Sequence, residues 1–466
     1  MLCSRPSCSD ATDNDSLITL PGPKPCMRTR RAVMLTAKTF PGLAFLALLS
    51  VIFLLFAALA SSAKSAPPAT SPYVVSVGDS YISGEAGRWA GNLSESVISW
   101  ASWKAGIESV ISWAGKAMTP FLIDALGSSA YHDNAAGKAE SITGCHRSKS
   151  AGIHIGSAYA GSRNFACSGA ITTTVKKNSK GKFKPGLDFY TGPEGVGQLV
   201  SLREFAKTHN VKMVSVSIGG NDFQFGPIVE NCLQQFIFTS QRRKGYCSED
   251  KAVYKNFTAA KVAERTEAIR QSYLRIGEAM ASAGYSANDY KIVAQDYPET
   301  LPHSSRIRYP QTIRRQSAGG CGLWNRDIDW ALNKALPAIS KAIDDAAAGS
   351  GLANIRRLNL TNQYRGHRLC ERGTELVDKF PGHWADLDAV DNAEWVSQIR
   401  TLTTVLGTYA IQEGFHPNYW GQLALRSCLR QAFTYFAAAD AARVTQCIPN
   451  GDGLSARGEP RMNLAR

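Results

Sequence analysis

No C-x-x-C pair occurs anywhere in the 466 residues, which leaves zinc and dithiol redox chemistry without their usual spacing. Dense basic runs are missing too. The formal charge is +14 and the pI about 9.3, a balance that would suit nucleic acid. Yet the basic residues are scattered, the tightest groups (Arg28 to Arg31, Gln241 to Lys244, Arg314-Arg315) are short, and no nucleic-acid motif accompanies them. Nucleic acid is therefore set aside as a partner. A weak preference for anionic envelope polymers or lipid headgroups fits the charge better. The acids Asp386, Asp388 and Asp391 lack the glycine and terminal glutamate of an EF-hand loop and read as a solvated face. Nothing calls for a metal or an organic cofactor.

What is present points to an exported globular protein. Hydrophobic residues make up 44% of the chain, enough for one large domain or two modest ones. Leu43 to Ala60 is an almost uninterrupted apolar run, with Arg28, Arg30, Arg31 and Lys38 before it and Ala60-Ser61-Ser62-Ala63 at its end. That is a secretory signal pattern. The run is also long enough to span a bilayer, so an uncleaved anchor formed by residues 43–60 is the competing reading. The first 26 residues do not suit a signal peptide: they are polar and carry Asp10, Asp13, Asp15, Cys3, Cys8 and Cys26. Met27 and Met34 are better starts. Residues 1–66 are thus taken as an N-terminal extension and signal peptide or anchor. Of the eleven cysteines, those beyond the apolar run are Cys145, Cys167, Cys232, Cys247, Cys321, Cys370, Cys428 and Cys447. An even set in an exported chain implies disulfides, and the sequence alone leaves the pairing open.

Strand and helix patterns alternate through the mature chain. Val74 to Val77 reads as a buried strand ended by Gly78, and Val211 to Ile218, Tyr290 to Ala294 and Asn354 to Leu360 read as further strands. Helical patterns cover Glu194 to His209, Lys255 to Ala283, Asp327 to Ala348 with Pro337 interrupting, Asp391 to Gln412 and Tyr419 to Ala438. A helical stretch is also expected to end at Tyr159. Such alternation implies a parallel sheet covered on both faces. Between Arg88 and Glu140 lies an insert with a near-repeat, ESVISWA at Glu95 and again at Glu108. The offset puts Trp100 and Trp113 on different faces of any single helix, so two short helices are expected. With Trp89 and Trp103 they would form either a lid or lipid-facing rim, or a hairpin packed on the main domain. Beyond Ile448 the chain is polar and Gly-rich and reads as a disordered tail over 448–466.

Four short blocks carry chemistry: GDS at Gly78 to Ser80, FACSGA at Phe165 to Ala170, SIGGND at Ser217 to Asp222, and EGFHPN at Glu413 to Asn418. A strand that ends in a tight Gly turn and feeds a helix can hold a serine hydroxyl at the carboxyl edge of a sheet, beside backbone N–H groups. The four blocks, in this order, resemble the GDSL/SGNH hydrolase superfamily, especially its secreted actinobacterial esterase branch, over roughly residues 70 to 440. The resemblance implies a three-layer α/β/α, flavodoxin-like SGNH-hydrolase fold with a helical insertion, spanning 67–447. It also implies that neighbouring cysteines pair in order: Cys145–Cys167, Cys232–Cys247, Cys321–Cys370 and Cys428–Cys447.

Ser80 is then the nucleophile and His416 its base, since imidazole titrates near neutrality. Glu413, three residues before His416, is placed to accept the ring N–H and fix the tautomer. The family usually has Asp there, and some relatives use a backbone carbonyl instead. For the oxyanion hole the resemblance assigns the Ser80 and Gly169 backbone N–H groups and the Asn221 side-chain amide. Asp79 is expected to brace the nucleophile turn and Asp222 to cap a helix after GGND. The expected function is an exported, monomeric serine carboxyl-ester hydrolase acting on lipid, aryl or acylated-sugar esters, with peripheral contact to membrane or envelope. Deacetylation of an acylated polysaccharide is the alternative, and a non-catalytic binding protein on the same fold is the alternative of another class.

Overall fold

The order of pairing in the main sheet is that of a doubly wound α/β fold. The computed structural model describes residues 68, 70–93, 126–178, 180–239, 245–377, 387–399, 411–438 and 441–465. Its elements, in chain order, are β1 (Pro72–Gly78), α1 (Ser80–Ser83), β2 (Gly161–Asn164), α2 (Gln198–Ala206), β3 (Asn210–Ser217), α3 (Phe225–Phe238), α4 (Ala259–Ser282), β4 (Lys291–Gln295), α5 (Leu336–Gly349), β5 (Ile355–Asn359), α6 (Tyr419–Tyr435), β6 (Val444–Leu454) and β7 (Pro460–Ala465), with short turns of helix between. The strands lie in the order β2-β1-β3-β4-β5-β6-β7. All neighbours are parallel except β6 and β7. The reversal of order between β1 and β3 is a topological switch point, where open α/β sheets bind ligands beyond the carboxyl ends of their strands.

Alternation along the strands builds two cores. Val75 and Val77 join Leu199 and Leu202 of α2, Ile269 and Tyr273 of α4 and Ile343 of α5 on one face. Val74, Met213, Val293 and Leu358 turn to the other face, where Trp420, Leu423 and Leu429 of α6 cover them. Side chains two apart share a face of a strand, so each central strand feeds both layers. This is the expected three-layer fold. The four disulfides pair as the resemblance implied.

Several expectations need correction. The segment 448–466 is not a disordered tail: β6 and β7 pair antiparallel and extend the sheet. Cys428–Cys447 ties β6 to α6, and Glu459, buried, receives both guanidinium nitrogens of Arg430 at 2.6 Å. The glycines that suggested disorder serve a hairpin instead. The sheet therefore continues to residue 465, past the expected boundary at 447. The stretch leading to Tyr159 forms turns, not a helix. Pro337 does not break its helix. It stands in the first turn of α5, where a missing N–H is tolerated, and a π-helical turn, Ala331–Ala335, joins α5 to the preceding helix Asn325–Trp330. Helix α3 was not anticipated. Of the insert, residues 94–125 lie outside the described residues, and with them Trp100, Trp103 and Trp113. Trp89 is buried beneath the Arg88 guanidinium, 4.4 Å from its ring centre. Residues 126–140 hold one short turn of 3₁₀ helix, Ser128–Tyr131. The apolar run at 43–60 also lies outside the described residues. Among those described, no helix is long and apolar enough to cross a membrane.

Candidate active site

β1 ends at the switch point in a glycine that the geometry requires. Gly78 has φ +129°, and a Cβ there would stand 1.9 Å from the Ser217 carbonyl oxygen of β3. The Gln198 amide clasps the same residue, its oxygen taking the Gly78 N–H at 2.6 Å and its nitrogen reaching the Gly78 carbonyl at 2.9 Å. The chain then enters α1. Asp79 caps this helix by accepting the Tyr81 N–H at 3.1 Å. Its other oxygen accepts the Tyr297 hydroxyl. Burial pushes the Asp79 carboxyl up to about 7, against the opposing hydrogen bonds from Tyr297 and Tyr81. Asp79 thus braces the turn, as expected, and leaves Ser80 as the first residue of α1.

The Ser80 hydroxyl lies 2.7 Å from Nε2 of His416. The other ring nitrogen, Nδ1, is 3.0 Å from the Gly414 carbonyl oxygen. A carbonyl only accepts, so Nδ1 carries the proton and Nε2 is free to take one from Ser80. Burial pushes the His416 pKa below its ordinary 6.5, with the Glu85 charge and the Gly414 carbonyl opposing. The Gly414 carbonyl reaches the ring because Phe415, between them, adopts φ +67°. This conformation is costly for a residue with a Cβ and is held from both sides. The Phe415 N–H donates to Ser397 O at 2.8 Å, and its carbonyl accepts the Tyr81 hydroxyl at 3.1 Å. Beyond His416, Asn418 caps α6 by accepting the N–H groups of Trp420 and Gly421. The HPN triplet is therefore a helix start that presents the histidine.

Glu413 does not reach the imidazole. Its carboxylate is buried, accepts hydrogen bonds from the Tyr131 hydroxyl at 2.6 Å and from Nη2 of Arg88 at 3.4 Å, and forms an ion pair with Arg88, whose Nε stands 3.0 Å away. The expectation that Glu413 orients His416 is corrected: the adjoining backbone carbonyl occupies that position. The carboxylate whose charge most favours protonation of His416 is Glu85, which the sequence reading passed over. Glu85 is fully buried and bonds His146 Nδ1 at 2.7 Å and the Gln412 amide at 2.8 Å. Burial pushes its carboxyl up, but His146, His416 and Ser168 outweigh this and hold it at about 2. Its position five residues beyond the nucleophile was the one available signal.

Asn221 follows β3 and lines the same cavity as Ser80. Its amide nitrogen donates one hydrogen to Ala170 O at 2.9 Å, which leaves the second for another acceptor. Asp222 does not cap a helix: it accepts the Thr172 hydroxyl at 2.7 Å and so ties GGND to the FACSGA turn. In that turn Gly169 has φ +80°, and Cys167 N–H donates to Gly78 O at 3.0 Å, placing the turn beside the end of β1. Among the described residues no acceptor takes the N–H of Ser80 or of Gly169. Gly169 itself does not line the cavity.

The cavity has a volume of about 100 Å³. Its walls are mostly apolar, with Asp79, Thr300, Asp327 and the tyrosines Tyr81 and Tyr297 lining it beside Ser80 and Asn221. Phe225, Ile228 and Val229 come from α3, Leu332 from the π-helical turn, and Leu336 and Ile339 from α5. Concave apolar space ending on a few polar groups is the usual form of a small-molecule site.

Comparison with solved structures finds an extracellular lipase from Streptomyces rimosus, 17% identical over 76% of this chain and 95% of that one, with a TM-score of 0.35. A phospholipase A1 from Streptomyces albidoflavus NA297 is 18% identical over the same shares, also at 0.35. A family two carbohydrate esterase from Clostridium thermocellum is 11% identical over 79% of this chain and 66% of that one, at 0.32. No protein-family model and no curated protein matches the chain.

Proposed function

We propose that this chain is an exported serine carboxyl-ester hydrolase of the GDSL/SGNH type, acting through a Ser80–His416 dyad oriented by the Gly414 carbonyl. One observation carries the reading: the Ser80 hydroxyl lies 2.7 Å from an imidazole nitrogen whose partner nitrogen is already committed to a carbonyl, and the serine opens onto an apolar cavity. The sequence blocks supply the type; the geometry supports the roles.

In this mechanism Nε2 of His416 takes the Ser80 proton as Oγ forms a bond to the ester carbonyl carbon. The carbonyl π electrons move to oxygen, and the N–H groups of Ser80 and Gly169 with the Asn221 amide receive the oxyanion. Collapse breaks the bond to the alcohol oxygen, which leaves with the proton from His416. Water then gives a proton to His416, attacks the acyl-enzyme and releases the acid, and the proton returns to Ser80. The apolar walls suit an acyl chain or aryl group. The predominantly apolar lining favours lipid or aryl esters over acetylated glycans. The hydrogen-bonded dyad argues against a purely binding role. The N-terminal apolar run and four disulfides favour export.

Hydrolysis of a p-nitrophenyl ester series from acetate to palmitate, by the oxidised protein and by Ser80→Ala, tests this reading. The parent should turn over the series with a preference beyond acetate, and Ser80→Ala should not. Equal rates for the two proteins would remove Ser80 from the chemistry.

A further inference from the structure

Lys184 is a buried cation with no carboxylate in hydrogen-bonding contact among the described residues. Its side chain is 5% exposed. Its ammonium donates to two backbone carbonyls, Gly144 O at 2.5 Å and Ser168 O at 2.7 Å. Both flank the Cys145–Cys167 disulfide, and Ser168 N–H donates to Cys145 O at 3.0 Å. The stem of Lys184 runs beneath Gly169: a Cβ built there would meet its Cε at 3.7 Å. The lysine is itself fixed, since its backbone pairs with Val175 through two 2.9 Å hydrogen bonds. Burial of a charge at such a place is costly unless the groups it meets offset it.

The peptide plane gives the arrangement its meaning. Ser168 C=O and Gly169 N–H belong to one trans peptide, so they point in opposite directions. With the carbonyl turned onto the ammonium, the Gly169 N–H points away from Lys184, and among the described residues nothing accepts it. A cation on the carbonyl oxygen also draws charge from the peptide and makes its N–H a stronger donor.

We propose that Lys184 is a positioning residue of the oxyanion hole, holding and polarising the Ser168–Gly169 peptide so that its N–H faces the developing oxyanion. This rests on the hydrolase reading above and adds a residue that touches no reacting atom. Gln412 reinforces the same turn: its amide reaches Ser168 Oγ at 2.8 Å and Gly144 O at 3.1 Å. The histidine loop and the oxyanion turn are thereby joined through the Ser168 hydroxyl and through Gly144 O, which Lys184 also holds.

The test compares an oxygen ester with its thionoester, in which the carbonyl oxygen is sulfur. Sulfur accepts hydrogen bonds weakly, so the ratio of the two kcat/KM values reports the hole rather than the general state of the protein. Parent, Lys184→Met and Asn221→Ala are measured with one p-nitrophenyl acyl pair. Asn221→Ala should lower the ratio, because one direct donor is lost. Lys184→Met should lower kcat for the oxygen ester by about tenfold, less than the loss of a whole donor, with KM within about twofold, and should lower the ratio with it. If Asn221→Ala leaves the ratio unchanged, the assigned hole is wrong and the hydrolase reading falters. If Asn221→Ala lowers the ratio while Lys184→Met slows both substrates alike, the hole stands and the role given to Lys184 is refuted. Should Lys184→Met not fold, Lys184→Gln, which keeps a donor but no charge, is read in the same way.

Discussion

The replacement of Glu413 by glutamine separates two accounts of how His416 is held. A carboxylate that fixes the tautomer of a catalytic imidazole is worth about 10⁴ in kcat. In this structure the tautomer is fixed by Gly414 O at 3.0 Å, and Glu413 faces Tyr131 and Arg88. Glu413→Gln should therefore lower kcat of the folded enzyme by less than about tenfold, a small part of the loss that follows when the orienting carboxylate itself is removed. Its cost should fall on stability. Arg88 and Glu413 are 3% and 1% exposed, and breaking a buried ion pair by removing one partner typically costs about 3–5 kcal/mol. The assay is kcat on a short p-nitrophenyl ester, normalised by titration of the active serine, beside urea unfolding of the same preparations. A loss of thousands-fold in kcat with unchanged unfolding would refute the reasoning and return Glu413 to the catalytic set.

Three further outcomes follow from the same geometry. Because burial lowers the His416 pKa and the base must be neutral to act, the acid limb of kcat/KM should have its midpoint below 6.5; a midpoint at or above that value contradicts the assigned base. Gly78→Ala should abolish accumulation of folded protein, since a Cβ would stand 1.9 Å from Ser217 O at a φ of +129°; normal yield and normal unfolding would contradict the close approach of β1 and β3. Val229→Trp, on the cavity wall, should cut turnover of decanoate relative to acetate by about tenfold or more, given about 0.8 kcal/mol for each buried methylene; an unchanged chain-length profile would place the acyl group elsewhere.

The parts legible in the sequence were those where local chemistry and tertiary structure agree. GDS, GGND and HPN each sit at the end of a strand or the start of a helix, and the alternation of strands and helices prescribed a parallel sheet. The resemblance correctly carried the disulfide pairing. Glu413 was misjudged because proximity in sequence to His416 says nothing of a positive φ at Phe415, which depends on Ser397 and Tyr81 from distant segments. The terminal hairpin was misread because polar, Gly-rich composition does not record a β6 edge waiting beside β5, or the buried Arg430–Glu459 pair. Helix α3 was hidden by Gly226 and Pro227, which would punctuate a helix interior but are tolerated in its first turn. Lys184 and Glu85 gave little signal, because isolated charged residues usually lie at the surface.

The most direct test of the central claim is covalent capture of the nucleophile. The protein is treated with a fluorophosphonate, which a serine attacks only when a base accepts its proton, and the adduct is located by peptide mass spectrometry. The account predicts one adduct, on Ser80, lost in Ser80→Ala and strongly slowed in His416→Ala, with Glu413→Gln labelled at close to the parent rate. An adduct on another serine, or labelling of Ser80 at the same rate without His416, would contradict it.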